Sequence, residues 1–326
     1  MTAPLIQYED VSITLSTAEG RGTVVRDLDF QIEAGESVAL VGESGSGKTI
    51  TARSMIRLLP ESARVQGQIK FEGKDVLQMG RKELRDLRGP RIGMIFQDPK
   101  AAINPVRTVG DFLTERLRTQ GVGRKEAEGR ATALLDRVGV DRAEKRLRQY
   151  PFEFSGGLLQ RVMIASVLLA DPEVILADEP TTALDVTTQA EVMALLDEIR
   201  KERDLTLLMI THDLELAAAV CGRTLVMYAG TIVEDSDADL IDVGGLHPYT
   251  NALLESRPRL DQKQDELVSI PGRAVSGLDA PAGCPFAPRC AFRIDQCEAE
   301  RPPLRLLDGT RVACIRAEEI RGGSAK

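Results

Sequence analysis

The chain has 326 residues, 43% of them apolar, and a net charge of −8 with acidic and basic side chains interspersed. That length suits one large domain plus a smaller one, and the apolar share excludes global disorder. No Lys/Arg block tracks a phosphate backbone, which argues against a nucleic-acid partner, and no apolar run approaches the ~20 residues of a membrane helix. The first ten residues lack the charged-then-apolar pattern of a signal peptide, so the expected setting is the cytosol, with membrane contact made through other subunits.

Val11, Ile13 and Leu15 alternate with polar residues and predict a half-buried strand. Ser37–Val41 is a short apolar run that leads into Gly42-Glu-Ser44-Gly45-Ser-Gly47-Lys48-Thr49, which fits G-x-x-x-x-G-K-[ST]. Glycines let backbone N–H groups turn in around phosphate oxygens, and a helix starting near Lys48 adds its positive end. Lys48 is expected on the β- and γ-phosphates of a nucleotide, with the Thr49 hydroxyl on Mg²⁺. Alone the loop marks a P-loop nucleotide binder, and kinases and GTPases also qualify. Gln97 ends a further predicted strand and is a candidate to reach Mg²⁺ and its water.

Roughly residues 98–169 read as a helical insert. Within it Ala131, Leu134, Leu135 and Val138 keep helical spacing, and Gly139 is placed as a C-cap. Phe154-Ser155-Gly156-Gly157-Leu158-Leu159-Gln160 precedes a long apolar helix. Ser155 is a good N-cap, and the glycines expose N–H groups, so Ser155 and Gly157 form a second anion site suited to a nucleotide presented by a partner chain. Val174–Ala177 runs into Asp178-Glu179. Asp178 is expected to hold Mg²⁺ and Glu179 to polarise the attacking water. The strand Leu205–Ile210 leads to His212, placed to donate to the γ-phosphate and the attacking water. Leu225–Tyr228 and Thr231–Glu234, joined across Ala229-Gly230, read as a hairpin. Apolar strands alternating with helices imply a largely parallel, buried sheet.

After about Gly245 the composition shifts. Half of the sixteen prolines lie here, and little regular structure is expected past Leu254. Four of the five cysteines crowd this region as Cys284-x5-Cys290-x6-Cys297-x16-Cys314, while Cys221 stands alone. Four thiolates can complete the shell of a [4Fe–4S] cluster or of tetrahedral Zn²⁺; the gaps are wider than zinc-ribbon knuckles, and four separate buried thiols are the remaining reading.

The full set of phosphate loop, Gln97, Ser155–Gln160, Asp178-Glu179, Ala183-Leu-Asp185 and His212, in that order, resembles the ABC ATPases over roughly residues 5–245. More narrowly the chain is similar to the ATP-binding subunits of oligopeptide/dipeptide importers. The residues that carry this are Glu153-Phe-Ser-Gly-Gly, Ala177–Val186, His247-Pro-Tyr, Ile270-Pro-Gly272 and Gly283-Cys-Pro-Phe-Ala-Pro-Arg-Cys290. The resemblance implies an α/β fold: a P-loop ABC ATPase domain over 1–245, with a RecA-like core, an antiparallel β subdomain and a helical subdomain at 98–169. A small irregular Cys-containing C-terminal module over 246–326 follows. It implies ATP and Mg²⁺ as ligands, and it points to an iron–sulfur cluster on Cys284, Cys290, Cys297 and Cys314. It further implies two transmembrane permease subunits, a second ATPase subunit that is a paralogue in a heterodimer, an extracytoplasmic solute-binding protein, and a place on the cytoplasmic face of the membrane. Two positions depart from the pattern: Leu15 stands where an aromatic residue usually stacks on adenine, and Leu158 stands where Gln is usual. The alternative function is an ABC-type ATPase of a non-transport system acting on nucleic acid or ribosomes. The single cassette and the absence of a long coiled-coil insert count against it.

Overall fold

The computed structural model describes residues 3–17, 20–182, 184–242, 244–256 and 269–321. The chain divides into two compact units, one made of Met1–Gln78 with Ile210–Lys326 and the other of Met79–Met209.

The first unit holds an antiparallel sheet in the order Gly20–Ile32, Ile6–Thr17, Arg64–Phe71, Lys74–Asp75. The alternation at Val11, Ile13 and Leu15 belongs to its second strand. Residues facing each other across antiparallel strands interact, and Tyr8 opposite Phe30 does so with stacked rings 4.4 Å apart. The Tyr8 hydroxyl donates 2.8 Å to the Thr51 carbonyl and so ties this sheet to the helix Lys48–Met55.

A second sheet of this unit begins with Ser37–Val41, buried at all five positions, as strands covered on both faces are. It runs parallel to Arg223–Tyr228, which turns back antiparallel into Thr231–Asp237. The turn residues Ala229 and Gly230 have φ of 45° and 86°, as a two-residue hairpin whose twist matches its strands requires.

The sequence reading of little regular structure past Leu254 is corrected here. Arg305–Leu307 and Thr310–Val312 form a second hairpin, and its inner strand pairs antiparallel with Thr231–Asp237. The turn is Asp308-Gly309, with φ of 48° and 86°, a strong hairpin signal that the proline-rich composition masked. Short helices at Asp295–Ala299 and Ala317–Arg321 complete the region.

The second unit contains the parallel pair Ile92–Ile95 and Val174–Asp178. Between them in sequence lie the helices Pro99–Ala102, Val109–Thr119, Arg124–Arg137, Ala143–Arg146 and Gly156–Leu168. Arg124–Arg137 buries Ala127, Ala131, Leu134 and Leu135 and stops before Gly139, whose φ of 76° suits the left-handed residue that follows a helix. The helix Val186–Arg203 and the strand Thr206–Thr211 then lead the chain back to the first unit.

His247 starts the helix Pro248–Glu255 as a side-chain cap, its Nδ1 accepting from the Tyr249 N–H at 3.0 Å. The ring is buried, and burial pushes its pKa down to about 3. Protonation would turn the capping acceptor into a donor, so the fold selects neutral imidazole. The unfolded chain protonates near the ordinary 6.5, so stability is complete above that pH and is lost as pH falls from 6.5 toward 3, by up to about 1.4 kcal/mol per pH unit. His247→Asn keeps a capping oxygen without the titration. The gap in urea-unfolding free energy between wild type and His247→Asn is therefore expected to shrink by roughly 2 kcal/mol between pH 7 and pH 4.5. A constant gap would contradict this.

Candidate functional site

In the first unit the phosphate loop links Ser37–Val41 to the helix Lys48–Met55. Gly42 lies with φ at 157°, and a Cβ there would overlap the Met227 carbonyl oxygen. Gly47 caps the helix from the left-handed region at φ 103°, and its Cβ would press on Met227 Cε at 2.9 Å and Val25 Cγ2 at 3.1 Å. Both positions are therefore closed to other residues. Ser44 and Gly45 are exposed, whereas Lys48 is buried. Its Nζ donates to the carbonyls of Gly42 at 2.7 Å and Glu43 at 3.0 Å and lies 3.5 Å from Ser46 Oγ. Thr49 follows in the first helical turn. A glycine-shaped loop at a helix start, with an ammonium coiled under it, fits an anionic phosphate chain, and a Thr hydroxyl is the oxygen donor that Mg²⁺ takes.

His212, exposed, directly follows the strand Thr206–Thr211. The next helix, Leu214–Val220, is capped by Asp213, whose carboxylate accepts from the N–H groups of Glu215 and Leu216 at 2.9 and 3.1 Å.

The second unit carries the acidic pair. Asp178 ends its strand fully buried. Glu179 has φ of 46°, a left-handed conformation that an ordinary residue adopts only under local constraint. Its Oε2 accepts from Gln97 Nε2 at 2.7 Å and from Thr182 Oγ1 at 2.8 Å, so Gln97 and Glu179, 82 positions apart, are joined. A carboxylate fixed by two donors keeps lone pairs for a water proton. Ser155 caps the helix Gly156–Leu168 by accepting from the Leu158 N–H at 3.3 Å. A Cβ on Gly157 would meet Thr188 Cγ2 at 2.7 Å. Asp185 caps the helix Val186–Arg203 through the Thr188 N–H at 3.0 Å. Ala183, part of the same motif, lies outside the described residues.

The metal reading of the cysteine cluster is overturned. All five cysteines are free thiols, and among the described residues no group of three or more His, Cys, Asp or Glu is placed to hold a metal ion. Cys284, Cys290, Cys297 and Cys314 instead line one cavity of about 20 Å³ together with His247, Phe286 and Phe292. That volume holds about one water. Burial pushes the Cys284 and Cys314 thiols up to about 11 and raises that of Cys290. Neither the [4Fe–4S] cluster nor Zn²⁺ is supported, and the thiols act as small apolar core groups.

Two residues that contact the phosphate loop carry no signal local to it. The Tyr249 hydroxyl accepts from the Glu43 N–H at 2.9 Å, and Arg289 pairs with the Glu43 carboxylate at 2.6 Å. Both lie more than 200 positions away, where one sequence gives no pairing information.

A glycine-shaped phosphate loop on a buried parallel strand, together with an Asp-Glu pair at the end of another, defines a P-loop nucleoside triphosphatase. The comparisons carry this further. The family model for ABC transporters matches residues 25–182, and that for the C-terminal region of oligopeptide/dipeptide transporters matches 233–297. The oligopeptide transport ATP-binding protein OppD of Salmonella typhimurium is 43% identical over 317 residues, covering 97% of this chain and 94% of that protein. OppD of Haemophilus influenzae is 43% identical over 296 residues, covering 90% and 92%. Among solved structures, a dimeric ATP-binding cassette in a post-hydrolysis state with ADP and Pi matches at TM-score 0.64 and 26% identity, covering 72% of this chain and 98% of that one. CbiO1 of Clostridium perfringens matches at TM-score 0.63 and 26% identity, covering 74% and 91%. The chain belongs to the ABC transporter ATP-binding proteins, in their oligopeptide transport branch. It is an ATPase of the ABC transporter class, and the non-transport alternative is not favoured.

Gly42→Ala must displace the Met227 carbonyl. It is expected to cost roughly 1–3 kcal/mol and to abolish tight Mg·ATP binding. Thermal melting with and without Mg·ATP checks both; an unshifted melting temperature and an intact ATP-induced shift would refute the steric account.

Proposed function

We propose that this chain is the ATP-hydrolysing subunit that powers import of peptides or related small solutes through an ABC transporter. The observation that carries the reading is the breadth of the likeness. The peptide-transport relatives match 90–97% of the chain, and the C-terminal family model matches in addition to that of the cassette. Among the described residues no helix is long and apolar enough to cross a membrane. Transport therefore calls for two permease subunits that supply the path, with this chain docked at the cytoplasmic face. A second ATPase subunit, a paralogue, and an extracytoplasmic solute-binding protein complete the assembly. Residues 1–245 are assigned to the ATPase domain, with 98–169 as its helical subdomain, and 246–326 to the C-terminal module.

In this reading Gly42, Ser44, Gly45, Gly47 and Lys48 bind the phosphates, while Thr49 and Asp178 hold Mg²⁺. The metal neutralises charge on the β- and γ-phosphates. Glu179 orients the attacking water, Gln97 fixes the Glu179 carboxylate, and His212 donates toward the γ-phosphate. Ser155 and Gly157 serve the nucleotide bound by the partner ATPase. The dimeric state of the related cassette supports that division, as does the anion preference of a helix N-terminus.

Hydrolysis depends on Glu179, whereas binding depends on Lys48 and Thr49. In the assembled transporter, with the partner ATPase's own site silenced, Glu179→Gln is expected to retain ATP binding and to lose at least about 100-fold in turnover. Lys48→Ala is expected to weaken both. Near-normal phosphate release by Glu179→Gln would end its assignment. Binding-protein-dependent uptake of labelled peptides into vesicles holding the complex tests the transport reading, and ATP-independent uptake would contradict it. Sharing of sites makes hydrolysis rise with dimerisation. A monomer that hydrolysed ATP as fast as the complex, at every protein concentration, would disprove the shared site.

A further inference from the structure

Glu43, the second residue of the phosphate loop, has every polar group engaged. Its carbonyl accepts from Lys48 Nζ at 3.0 Å, and its N–H donates to the Tyr249 hydroxyl at 2.9 Å. Its carboxylate takes both arms of the Arg289 guanidinium, Oε2 at 2.6 Å and Oε1 at 3.3 Å. Arg289 is itself buried, with 4% of its side chain exposed. Its remaining N–H groups donate to the Pro271 carbonyl at 2.9 Å, the Ile270 carbonyl at 3.3 Å and the Tyr228 hydroxyl at 3.2 Å. The guanidinium carries five donors in a fixed fork, and here five acceptors meet them. It also lies 5.9 Å from the ring centres of both Tyr228 and Phe286, within cation–π range.

This arrangement exceeds what a tail needs in order to pack. An acidic side chain in a loop that must receive a polyphosphate is an electrostatic liability, because like charges in a partly dry site repel strongly. Arg289 neutralises that carboxylate and fixes its direction. Through the same residue it steadies the carbonyl that holds the Lys48 ammonium. Ser276, on the segment that follows Ile270 and Pro271, comes within 4.0 Å of where a Cβ on Gly45 would stand. The C-terminal region thus binds the loop at Glu43 and comes near it again at Gly45.

We propose that Arg289 is a positioning residue for ATP binding. It holds Glu43 so that the phosphate loop stays shaped for the nucleotide and free of uncompensated negative charge, and it couples the order of residues 270–290 to ATP occupancy. The proposal rests on the assignment of the phosphate loop to ATP. Coupling of this kind is reciprocal: ATP must strengthen the Arg289 contacts as much as those contacts strengthen ATP binding.

The test measures Mg·ATP affinity of the full chain, and KM and kcat of the assembled transporter, for Arg289→Gln, Arg289→Lys, the double variant Arg289→Gln/Glu43→Gln, and Lys48→Ala as reference. Arg289→Gln is expected to weaken ATP binding about tenfold, as loss of a charge-assisted pair does. KM should rise in parallel, with kcat at saturating ATP within about twofold of wild type. Removing the stranded charge in the double variant should recover affinity to within about threefold of wild type. Saturating ATP should slow amide exchange across residues 270–290 in wild type and not in Arg289→Gln. Unchanged affinity in a folded Arg289→Gln protein overturns the proposal, and so does a loss that the second substitution fails to recover. If Arg289→Gln does not melt cooperatively, Arg289→Lys and the wild type decide: Arg289→Lys keeps the neutralising charge and is expected to hold affinity within about threefold of wild type, and amide exchange across residues 270–290 that saturating ATP leaves unchanged in wild type overturns the proposal. Unchanged affinity in Lys48→Ala would instead remove the ATP assignment of the loop, whatever Arg289 does.

Discussion

A buried ammonium dictates the conformation of the phosphate loop. Lys48 is 5% exposed, and a charge taken out of water must be met by hydrogen bonds. The donors on Nζ are met by the carbonyls of Gly42 and Glu43, with Ser46 Oγ at the limit of reach. Gly42, which supplies one of these carbonyls, has positive φ and closes against the Met227 carbonyl. Met227 belongs to Arg223–Tyr228, whose register beside Ser37–Val41 is parallel, with Val41 opposite Val226. One buried charge thus links loop shape, glycine placement and strand pairing.

A second buried charge organises the C-terminal chain. Glu234 is 1% exposed and accepts from the Leu246 N–H at 2.9 Å, the His247 N–H at 2.8 Å and Thr250 Oγ1 at 2.6 Å. Burial raises its pKa, while these three donors pull it back toward the charged form. A proline-rich segment has few N–H groups and little ladder to place them in, so each remaining one must be satisfied individually. Side chains from the sheet do that here, and aromatic contacts add area. Tyr228, Tyr249 and Phe286 meet with centroids 4.5 and 5.3 Å apart. Order that the spacing of the cysteines attributed to a metal is supplied by a carboxylate, an arginine and three aromatic rings.

What was legible in the sequence was local. Ser37–Val41, Val174–Asp178 and the hairpin across Ala229-Gly230 follow from apolar runs and turn residues, and the helix ending before Gly139 follows from 3.6-residue spacing. The Asp308-Gly309 hairpin is equally local, a turn signal that the expectation of little regular structure past Leu254 passes over. The Glu43–Arg289 pair was not legible, since it joins residues 246 positions apart through tertiary packing alone. The cysteine spacing misled for a related reason. Proximity of four thiols in sequence suits both a metal shell and a small apolar core, and spacing alone does not tell the two apart; it is the placement of the side chains that offers no metal-holding group among the described residues.

The same distinction between local pattern and tertiary assembly bears on Leu15. The resemblance calls for an aromatic residue there, and the strand supplies a half-buried leucine instead. In the register of the first sheet Leu15 faces Gly22. A Cβ on Gly22 would overlap Leu278, so a side chain from the C-terminal region fills the space that Gly22 leaves open. Directly opposite residues on antiparallel strands share a face. The apolar surface at this position is therefore built from two leucines on distant segments, and Leu278 remains 43% exposed. Two aliphatic side chains offer a flat ring dispersion contact and burial, without the quadrupole that makes aromatic stacking directional. Leu278 is two residues from Ser276, which stands beside Gly45. The segment that supplies this apolar contact is thus the one that reaches the phosphate loop, and the two features are parts of a single docking of the C-terminal chain.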